Sequence, residues 1–161
     1  MKLTEHFALS EFEHSENAKR YKIDNSVPER LVPTIRNLCE QVLEPLRQYV
    51  GEPIIISSGY RCPKLNKLVG GVTNSQHTTG QAADIYIAST SKLRQCFFWM
   101  IGNVPFDQLI MEKRGKKNWI HVSCRMDLNQ NRHKVFKLEK KNGTAFFYIF
   151  EPGNGWNAKK V

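Results

Sequence analysis

A histidine, an aspartate and a second histidine in this sequence can together hold a metal ion. His77 and Asp84 lie in the segment S-Q-H-T-T-G-Q-A-A-D (residues 75–84), and His121 lies 37 residues further on, in W-I-H-V-S. Zn²⁺ binds nitrogen and oxygen donors of this kind, and a site with three protein ligands keeps a position for water, as hydrolytic zinc sites do. A single histidine is more often a loop or core residue, so the elements that position the three residues decide between the two interpretations.

The secondary-structure elements expected around these residues can bring the three side chains together. Gly80 and the two alanines at positions 82 and 83 keep the segment slim, so the backbone can fold back closely. Residues 81–87 are typical of entry into a strand, which would fix Asp84 on a rigid element. W-I-H-V-S alternates apolar and polar residues, which predicts a second strand carrying His121. Two strands and one loop can therefore meet at one ion.

The same segment resembles the M15 zinc peptidases of bacterial cell walls. Their pattern is S-x-H-x-x-G-x-A-x-D followed later by a strand histidine, and every fixed position is matched here: Ser75, His77, Gly80, Ala82 and Asp84. Four other segments are similar to this family, namely F-A-L-S-E-F, S-G-Y-R, L-N and F-D-Q-L-I at residues 7–12, 58–61, 65–66 and 106–110. The resemblance covers roughly residues 4–125.

The resemblance implies a fold and a cofactor. The expected fold class is α+β, with a small antiparallel sheet and flanking helices, as also seen in the hedgehog signalling domain and the DD-peptidases. The expected cofactor is one Zn²⁺ per chain, with His77, Asp84 and His121 as the metal ligands.

The general base is where the sequence departs from the family. Many members carry an acidic residue three positions before the second histidine, and here that residue is Asn118, which does not ionise. Glu112 is the nearest acidic candidate, on the strand expected to pair with that of His121, and Asp107 is the second. Either Glu112 acts as the base, or the protein is a weakened enzyme.

Three residues are candidates for binding substrate. Arg61 can hold a carboxylate through two hydrogen bonds or stabilise an oxyanion, and family members use the matching arginine in this way. Ser75 and Gln76 flank the first ligand and either bind the substrate backbone or orient His77.

The resemblance implies hydrolysis of an amide bond in the stem peptide of peptidoglycan, by a D-alanyl-D-alanine carboxypeptidase or an L-alanyl-D-glutamate endopeptidase. An alternative is a catalytically weak, zinc-containing module that binds the cell wall or another protein, and Asn118 keeps this alternative open. A third interpretation, a basic nucleic-acid binder, explains the charge but not the three ligands.

Composition sets wider limits. Of 161 residues, 40% are hydrophobic and 24% are charged, which is ordinary for a globular protein, and we expect one domain over residues 1–161. No apolar run approaches the ~20 residues that span a bilayer, and the first residues lack the apolar core of a secretory signal. We therefore expect a protein that is made in the cytoplasm, is not bound to a membrane, and acts on the wall if released, as a phage or prophage enzyme would.

Charge and cysteines add two expectations. The formal net charge is +9, and residues 131–161 hold seven Lys or Arg against two Glu, so +5 of it lies there. Such a basic segment attracts polyanions, of which the anionic wall polymer is one and nucleic acid another. The four cysteines show no C-x-x-C spacing, and Cys39 and Cys96 are expected to be reduced core thiols.

The remaining elements are predicted from the spacing of apolar residues and from the positions of proline and glycine. A short helix capped by Ser10 is expected over residues 9–21, and a second from Pro28 to Gly51, with a late start or a kink caused by its prolines. A hairpin of residues 134–141 and 144–150 is expected to turn at residues 142–143, Asn-Gly. Residues 126–161 lie outside the family-like core, and the tail after the hairpin is expected to be loose apart from Trp156.

Overall fold

The computed structural model describes residues 1–141, 144–151 and 155–160, and the strands in these residues form one sheet. The strands are β1 (Ile55–Ser58), β2 (Ala82–Tyr86), β3 (Gln108–Arg114), β4 (Lys117–Ser123), β5 (Lys134–Lys141), β6 (Thr144–Glu151) and β7 (Gly155–Lys160). Their order in the sheet is β1-β2-β4-β3-β5-β6-β7. The α-helices are α1 (Leu9–Glu13), α2 (Glu16–Arg20), α3 (Val32–Leu38), α4 (Glu44–Val50), α5 (Pro63–Leu68) and α6 (Thr90–Asn103). The α+β class is therefore confirmed.

The sheet is mixed, so the expectation of a small antiparallel sheet was wrong in that detail. β3 and β5 run parallel, while the other neighbouring strands are antiparallel. The cause is the path of the chain after β4. Since β4 ends opposite the start of β3, where Ser123 pairs with Gln108, a strand that begins there and adds to β3 must run in the same direction as β3.

The helix expected from Pro28 to Gly51 is present, and its prolines shape it. A 3₁₀ turn over Glu29–Leu31 leads into α3, and a π-helical turn over Cys39–Leu43 joins α3 to α4. Pro45 lies in the first turn of α4, where its missing N–H interrupts the regular hydrogen-bond ladder, and the π turn accommodates this. Gly51 ends the run with a left-handed φ of 69°.

The N-terminal helix prediction needs correction. Residues 9–21 form two short helices, α1 and α2, because His14 has an extended backbone. The cap of α2 is Ser15, whose hydroxyl accepts a hydrogen bond from the backbone N–H of Ala18. Ser10 lies inside α1 and caps neither helix.

The two faces of the sheet have different roles. Alternating residues of the central strands pack under the helices in one hydrophobic core that includes Ile85, Leu109 and Ile120 together with Phe97 of α6. The opposite face carries Asp84 and His121, and we call it the site face.

The C-terminal segment extends this sheet. The hairpin strands of residues 134–141 and 144–151 are present, while the predicted Asn142–Gly143 turn lies outside the described residues. The prediction of a loose tail was wrong for residues 155–160, which form β7. Trp156 lies 6.1 Å from the ring of Phe97 and 5.2 Å from that of Phe150, measured between ring centroids, which anchors β7 against α6.

Two further predictions concerned the cysteines and membrane-spanning segments. Cys39 and Cys96 are buried, and the four cysteines are free thiols. Among the described residues, no helix combines the length and the apolar character that crossing a bilayer requires.

Candidate metal centre

The three predicted ligands come together on the site face. Asp84 of β2 and His121 of β4 are direct partners in the antiparallel register, so both side chains point to the same side. His77 lies in a 3₁₀ turn over Gln76–Thr79, which ends at Gly80 and leads directly into β2. The short return between the turn and the strand is what brings His77 over Asp84.

The donor atoms form a tight triangle. Asp84 Oδ1 lies 2.8 Å from His121 Nδ1 and 3.3 Å from His77 Nε2, and the two ring nitrogens are 3.2 Å apart. Bonds of about 2.0–2.1 Å to a tetrahedral ion put donor atoms about 3.3 Å apart. The three donors therefore fit one zinc-sized ion, with two nitrogens and one oxygen as Zn²⁺ accepts.

Hydrogen bonding prepares His77 for this role. Its Nδ1 lies 2.7 Å from the carbonyl oxygen of Gly59, which can only accept, so Nδ1 carries the proton and the lone pair lies on Nε2, inside the triangle. Burial lowers the pKa of His77, which keeps the ring neutral. Burial alone would raise the pKa of Asp84, but His77 and His121 hold it well below its usual range, so this carboxylate stays ionised. Neutral imidazole and ionised carboxylate are the forms that bind metal.

Two glycines allow the close approach of these loops. A Cβ on Gly59 would lie 2.5 Å from Cα of Phe12 in α1. A side chain there would therefore push α1 away from the loop whose carbonyl oxygen accepts the hydrogen bond from His77. Gly80 has a φ of +73°, and a Cβ would lie 2.9 Å from Ile35. The motif glycine is therefore required both by its backbone conformation and by its packing.

Arg61 lies at the edge of the triangle. Its Nη2 is 4.0 Å from Asp84 Oδ2, and its side chain is only 17% exposed. Its Nε is buried and has no hydrogen-bond partner within the described part of the chain. Burial lowers the pKa of Arg61, although the negative charges of Asp84 and Glu112 oppose this. A buried guanidinium with a free donor beside a metal triad is well suited to an anionic or polarised substrate oxygen.

Asn25 holds the Arg61 loop in place, and sequence reasoning missed it. Its amide nitrogen donates to the carbonyl oxygens of Tyr60 and Glu13, at 2.9 and 3.0 Å, and its carbonyl oxygen accepts from the N–H of Cys62 at 2.8 Å. These bonds join the loop to α1. An asparagine inside the linker K-I-D-N-S-V-P has no local pattern that marks it. The only signal was the polar type itself, at a place that proves to be buried.

Glu112 lies on the site face, and Asn118 does not. In the β3–β4 register Ile110 pairs with His121 and Glu112 with Trp119, so Glu112 is the diagonal neighbour of His121. Asn118 is three residues from His121 and therefore points to the opposite face of the strand. Burial raises the pKa of Glu112, Asp84 adds to the rise, and His121 opposes it. The carboxylate of Glu112 thus belongs to the electrostatic surroundings of the triad.

Asp107 is a structural residue. It is fully buried, and its carboxylate accepts hydrogen bonds from the side chains of Arg125 and Arg132 and from the backbone N–H of Arg132. Burial opposes ionisation, but the two arginines hold its pKa well below the usual range. A carboxylate engaged in this way has no lone pair to spare for a water molecule, so Asp107 is excluded as the base.

Ser75 and Gln76 lie next to His77 in the 3₁₀ turn. The carbonyl oxygen of Ser75 accepts hydrogen bonds from the backbone and hydroxyl of Thr78. The side chain of Gln76 donates a hydrogen bond to the side chain of Gln81 at 3.2 Å. The backbone carbonyl oxygen of Gln76 accepts one from the backbone N–H of Gln81. These bonds keep the turn in shape.

Comparison with known proteins agrees with the geometry. The Peptidase M15 family matches residues 5–123, which contain the triad, Arg61 and Glu112. The chain belongs to this family. Membership indicates a metallopeptidase, and the triad can hold the metal that such an enzyme requires. Among curated individual proteins, none matches the chain. β5, β6 and β7 lie beyond the residues that the family matches.

Two cavities border the sheet on different sides. A cleft of about 430 Å³ beside β1 is lined by Arg61, Ser57 and Tyr86 among others, so it adjoins the triad. A cavity of about 550 Å³ lies on the other face, against α6, and is lined by Asn118 and Trp156 among others. The cleft beside β1 shares Arg61 with the site, whereas the cavity against α6 contains neither a triad residue nor Arg61 or Glu112.

Proposed function

We propose that this protein hydrolyses an amide bond in the stem peptide of peptidoglycan, using one zinc ion held by His77, Asp84 and His121. The observation that carries the proposal is the convergence of three donor atoms within 3.3 Å of one another, next to a buried arginine that has a free donor. When bound at such a site, zinc lowers the pKa of a water molecule toward ~7 and polarises a carbonyl group.

Glu112 is the proposed general base. It accepts a proton from the attacking water and passes it to the nitrogen of the leaving amine, while the amide C–N bond breaks and a carboxylate forms. Its position as diagonal neighbour of His121 supports this role. The other candidate carboxylate, that of Asp107, is already bound by Arg125 and Arg132. Asn118 lines the cavity on the other face of the sheet, so the base is sought at Glu112 rather than at position 118.

Arg61 is the proposed substrate-binding residue. Its free Nε–H and the neighbouring cleft suit a substrate carboxylate or the oxyanion that develops at the cleaved amide. Ser75 and Gln76 support the turn that positions His77, and contact of either with the substrate backbone is a secondary proposal. Both a carboxypeptidase acting on D-Ala-D-Ala and an endopeptidase acting on L-Ala-D-Glu are compatible with this arrangement.

The test is hydrolysis of purified cell walls of several peptide chemistries by the zinc-loaded protein, followed by mass analysis of the soluble fragments. We expect new amino groups and a product mass that identifies the cleaved bond. His121→Ala should lose zinc and activity together. His133→Asn changes an exposed histidine that belongs to neither the triad nor the cleft, and asparagine tolerates the positive φ at this position. It is the matched control and should lose neither.

Two results would contradict the proposal. A folded protein that takes up no zinc lacks the proposed cofactor site. A fully zinc-loaded protein that binds walls but releases no new amino groups is instead the wall-binding module of the alternative interpretation.

A further inference from the structure

The site face continues beyond the metal triad as a set of aligned apolar side chains. The pairing of β4, β3, β5 and β6 places His121, Ile110, Phe136 and Ile149 in one row across the sheet. The next row contains Trp119, Glu112, Leu138 and Phe147. Six apolar side chains therefore extend from the triad and from Glu112 toward β6. We call them the apolar stripe: Ile110, Trp119, Phe136, Leu138, Phe147 and Ile149.

The apolar stripe does not belong to the hydrophobic core. Its residues are half-buried, and none is part of the core cluster or packs against it within the described residues. Their neighbours along the strands, such as Leu109, Ile120 and Val135, are buried on the other face. The rings of Phe136 and Phe147 contact each other, with centroids 4.7 Å apart. Exposed apolar surface of this kind, next to a site, indicates a binding surface.

Area argues against a second protein chain as the occupant. Three of the six side chains are aromatic, with about 150–250 Å² of surface each, and the three aliphatic ones are smaller. Six half-buried side chains therefore expose a few hundred Å² together, whereas a stable protein interface needs about 800 Å² per partner. A narrow ligand that lies along two rows fits this area better.

Distance and chemistry identify the ligand. Neighbouring strands lie about 4.8 Å apart, so Phe136 is about 10 Å and Ile149 about 14 Å from His121 across the sheet. An extended peptide advances about 3.5 Å per residue, so the stripe begins within about three residues of a bond held at the triad. The group attached to a stem peptide at that distance is the glycan, whose pyranose rings have flat C–H faces that pack on aromatic rings. Arg114 and Lys140 pair at one end of this face, and Lys134 lies near the other, which complements an anionic wall.

We propose that the apolar stripe binds the glycan strand of peptidoglycan while the attached stem peptide lies in the metal site. This proposal rests on the proposed function, because it assigns a second part of the same substrate. It also places the cleaved bond close to the sugar, as in L-Ala-D-Glu cleavage, rather than at the far end of the stem. β5 and β6, which lie beyond the residues that the family matches, supply four of the six side chains.

The adjacent phenylalanines of β6 give a matched pair of variants. Phe147 lies in the stripe, and Phe146 points to the opposite face of the same strand. We would measure binding of wild type, Phe147→Ser and Phe146→Ser to glycan strands from which all peptides have been removed. Since these strands contain no cleavable bond, the measurement does not depend on catalysis. Phe136→Ser serves as a second stripe variant, and zinc content with thermal unfolding verifies folding.

We expect Phe147→Ser and Phe136→Ser to weaken glycan binding by about 10-fold or more, with Phe146→Ser close to wild type. On intact walls the same two variants should raise KM, while kcat/KM on a free stem peptide stays within about twofold. Absence of glycan binding by wild type overturns the proposal, and so does equal binding by all variants. A wild-type dimer that Phe147→Ser dissociates also overturns it and identifies a second copy as the occupant. If glycan binding depends on Phe147 but no wall is cleaved, the proposed function fails and the glycan site stands.

Discussion

The roles of Glu112 and Asn118 follow from the parity of strand positions. Positions 112 and 121 meet on one face through the β3–β4 register, whereas position 118 has the opposite orientation to 121 on the same strand. Glu112→Gln keeps the shape of the side chain and removes its basicity. We therefore expect full zinc content with kcat lower by about 10²-fold or more, measured on a stem peptide.

The control for this prediction is Asn118→Asp, which adds a carboxylate on the far face of β4. It should leave kcat unchanged, and adding it to Glu112→Gln should restore nothing. Rescue of the double variant would mean that position 118 reaches the substrate. Near-normal turnover of zinc-loaded Glu112→Gln would remove Glu112 as the base.

Asn25 acts on substrate through the loop it holds. Asn25→Ala removes three hydrogen bonds that tie residues 60–62 to α1, so Arg61 loses its fixed position. We expect KM to rise several-fold with zinc content unchanged, and stability to fall by about 1–3 kcal/mol. Steady-state kinetics and denaturant unfolding measure the two effects.

Asn131 offers a comparison for Asn25 because it is also a buried asparagine that fixes a loop. It accepts a hydrogen bond from the N–H of Arg125, and it makes no hydrogen bond to the Arg61 loop among the described residues. Asn131→Ala should destabilise the protein without changing KM. An equal rise of KM in both variants would show that general loosening, not the Arg61 loop, is responsible.

At the scale of elements, Asp107 joins β3 to the segment that enters β5. It binds both arginines of that segment, and its backbone carbonyl accepts from the N–H of Lys134. The folded protein holds the pKa of Asp107 below its value in the unfolded chain, about 3.9. The ion pairs therefore stabilise the fold above about pH 4 and lose their effect as the pH falls toward the folded-state pKa.

The corresponding prediction concerns Asp107→Asn. The free energy of unfolding at pH 7 should fall by about 2 kcal/mol, which is less than for a fully buried pair because both arginines are a third or more exposed. The difference between wild type and variant should shrink as the pH is lowered from 6 to 2. Asp127→Asn, in an exposed turn, is the control and should show a smaller loss at pH 7. A difference that grows at low pH would contradict the ion-pair account.

The sequence was sufficient for elements whose information is local. The strands of Asp84 and His121 follow from alternation and small residues, and the helix kink follows from Pro45. The same alternation places Asn118 and His121 on opposite faces, since residues three positions apart on a strand point to opposite sides. The orientation of Asn118 could therefore have been predicted from the sequence. The parallel strand β5 was not predictable in this way, because its direction depends on where β4 ends. Asn25 was missed because its partners come from α1 and the Arg61 loop, which only the folded chain brings together.

On the scale of the whole molecule, the net charge of +9 acts at long range. An anionic wall attracts such a protein, and the attraction is screened over about 10 Å at 0.1 M salt. A short soluble stem peptide carries few charges and gains little from this steering. The charge should therefore affect the rate on walls and have little influence on the chemical step itself.

We accordingly expect kcat/KM on intact walls to fall by about 10-fold or more between low salt and 0.5 M salt, because encounter and retention weaken. On a soluble stem peptide the same change should be less than about threefold, since the triad, Arg61 and Glu112 act at short range. Parallel salt titrations on the two substrates measure this. A duplex DNA of random sequence serves as a third ligand in the same buffers. If DNA binds with a steep salt dependence while the rate on walls does not respond to salt, the basic charge serves nucleic acid, and the wall is not its target.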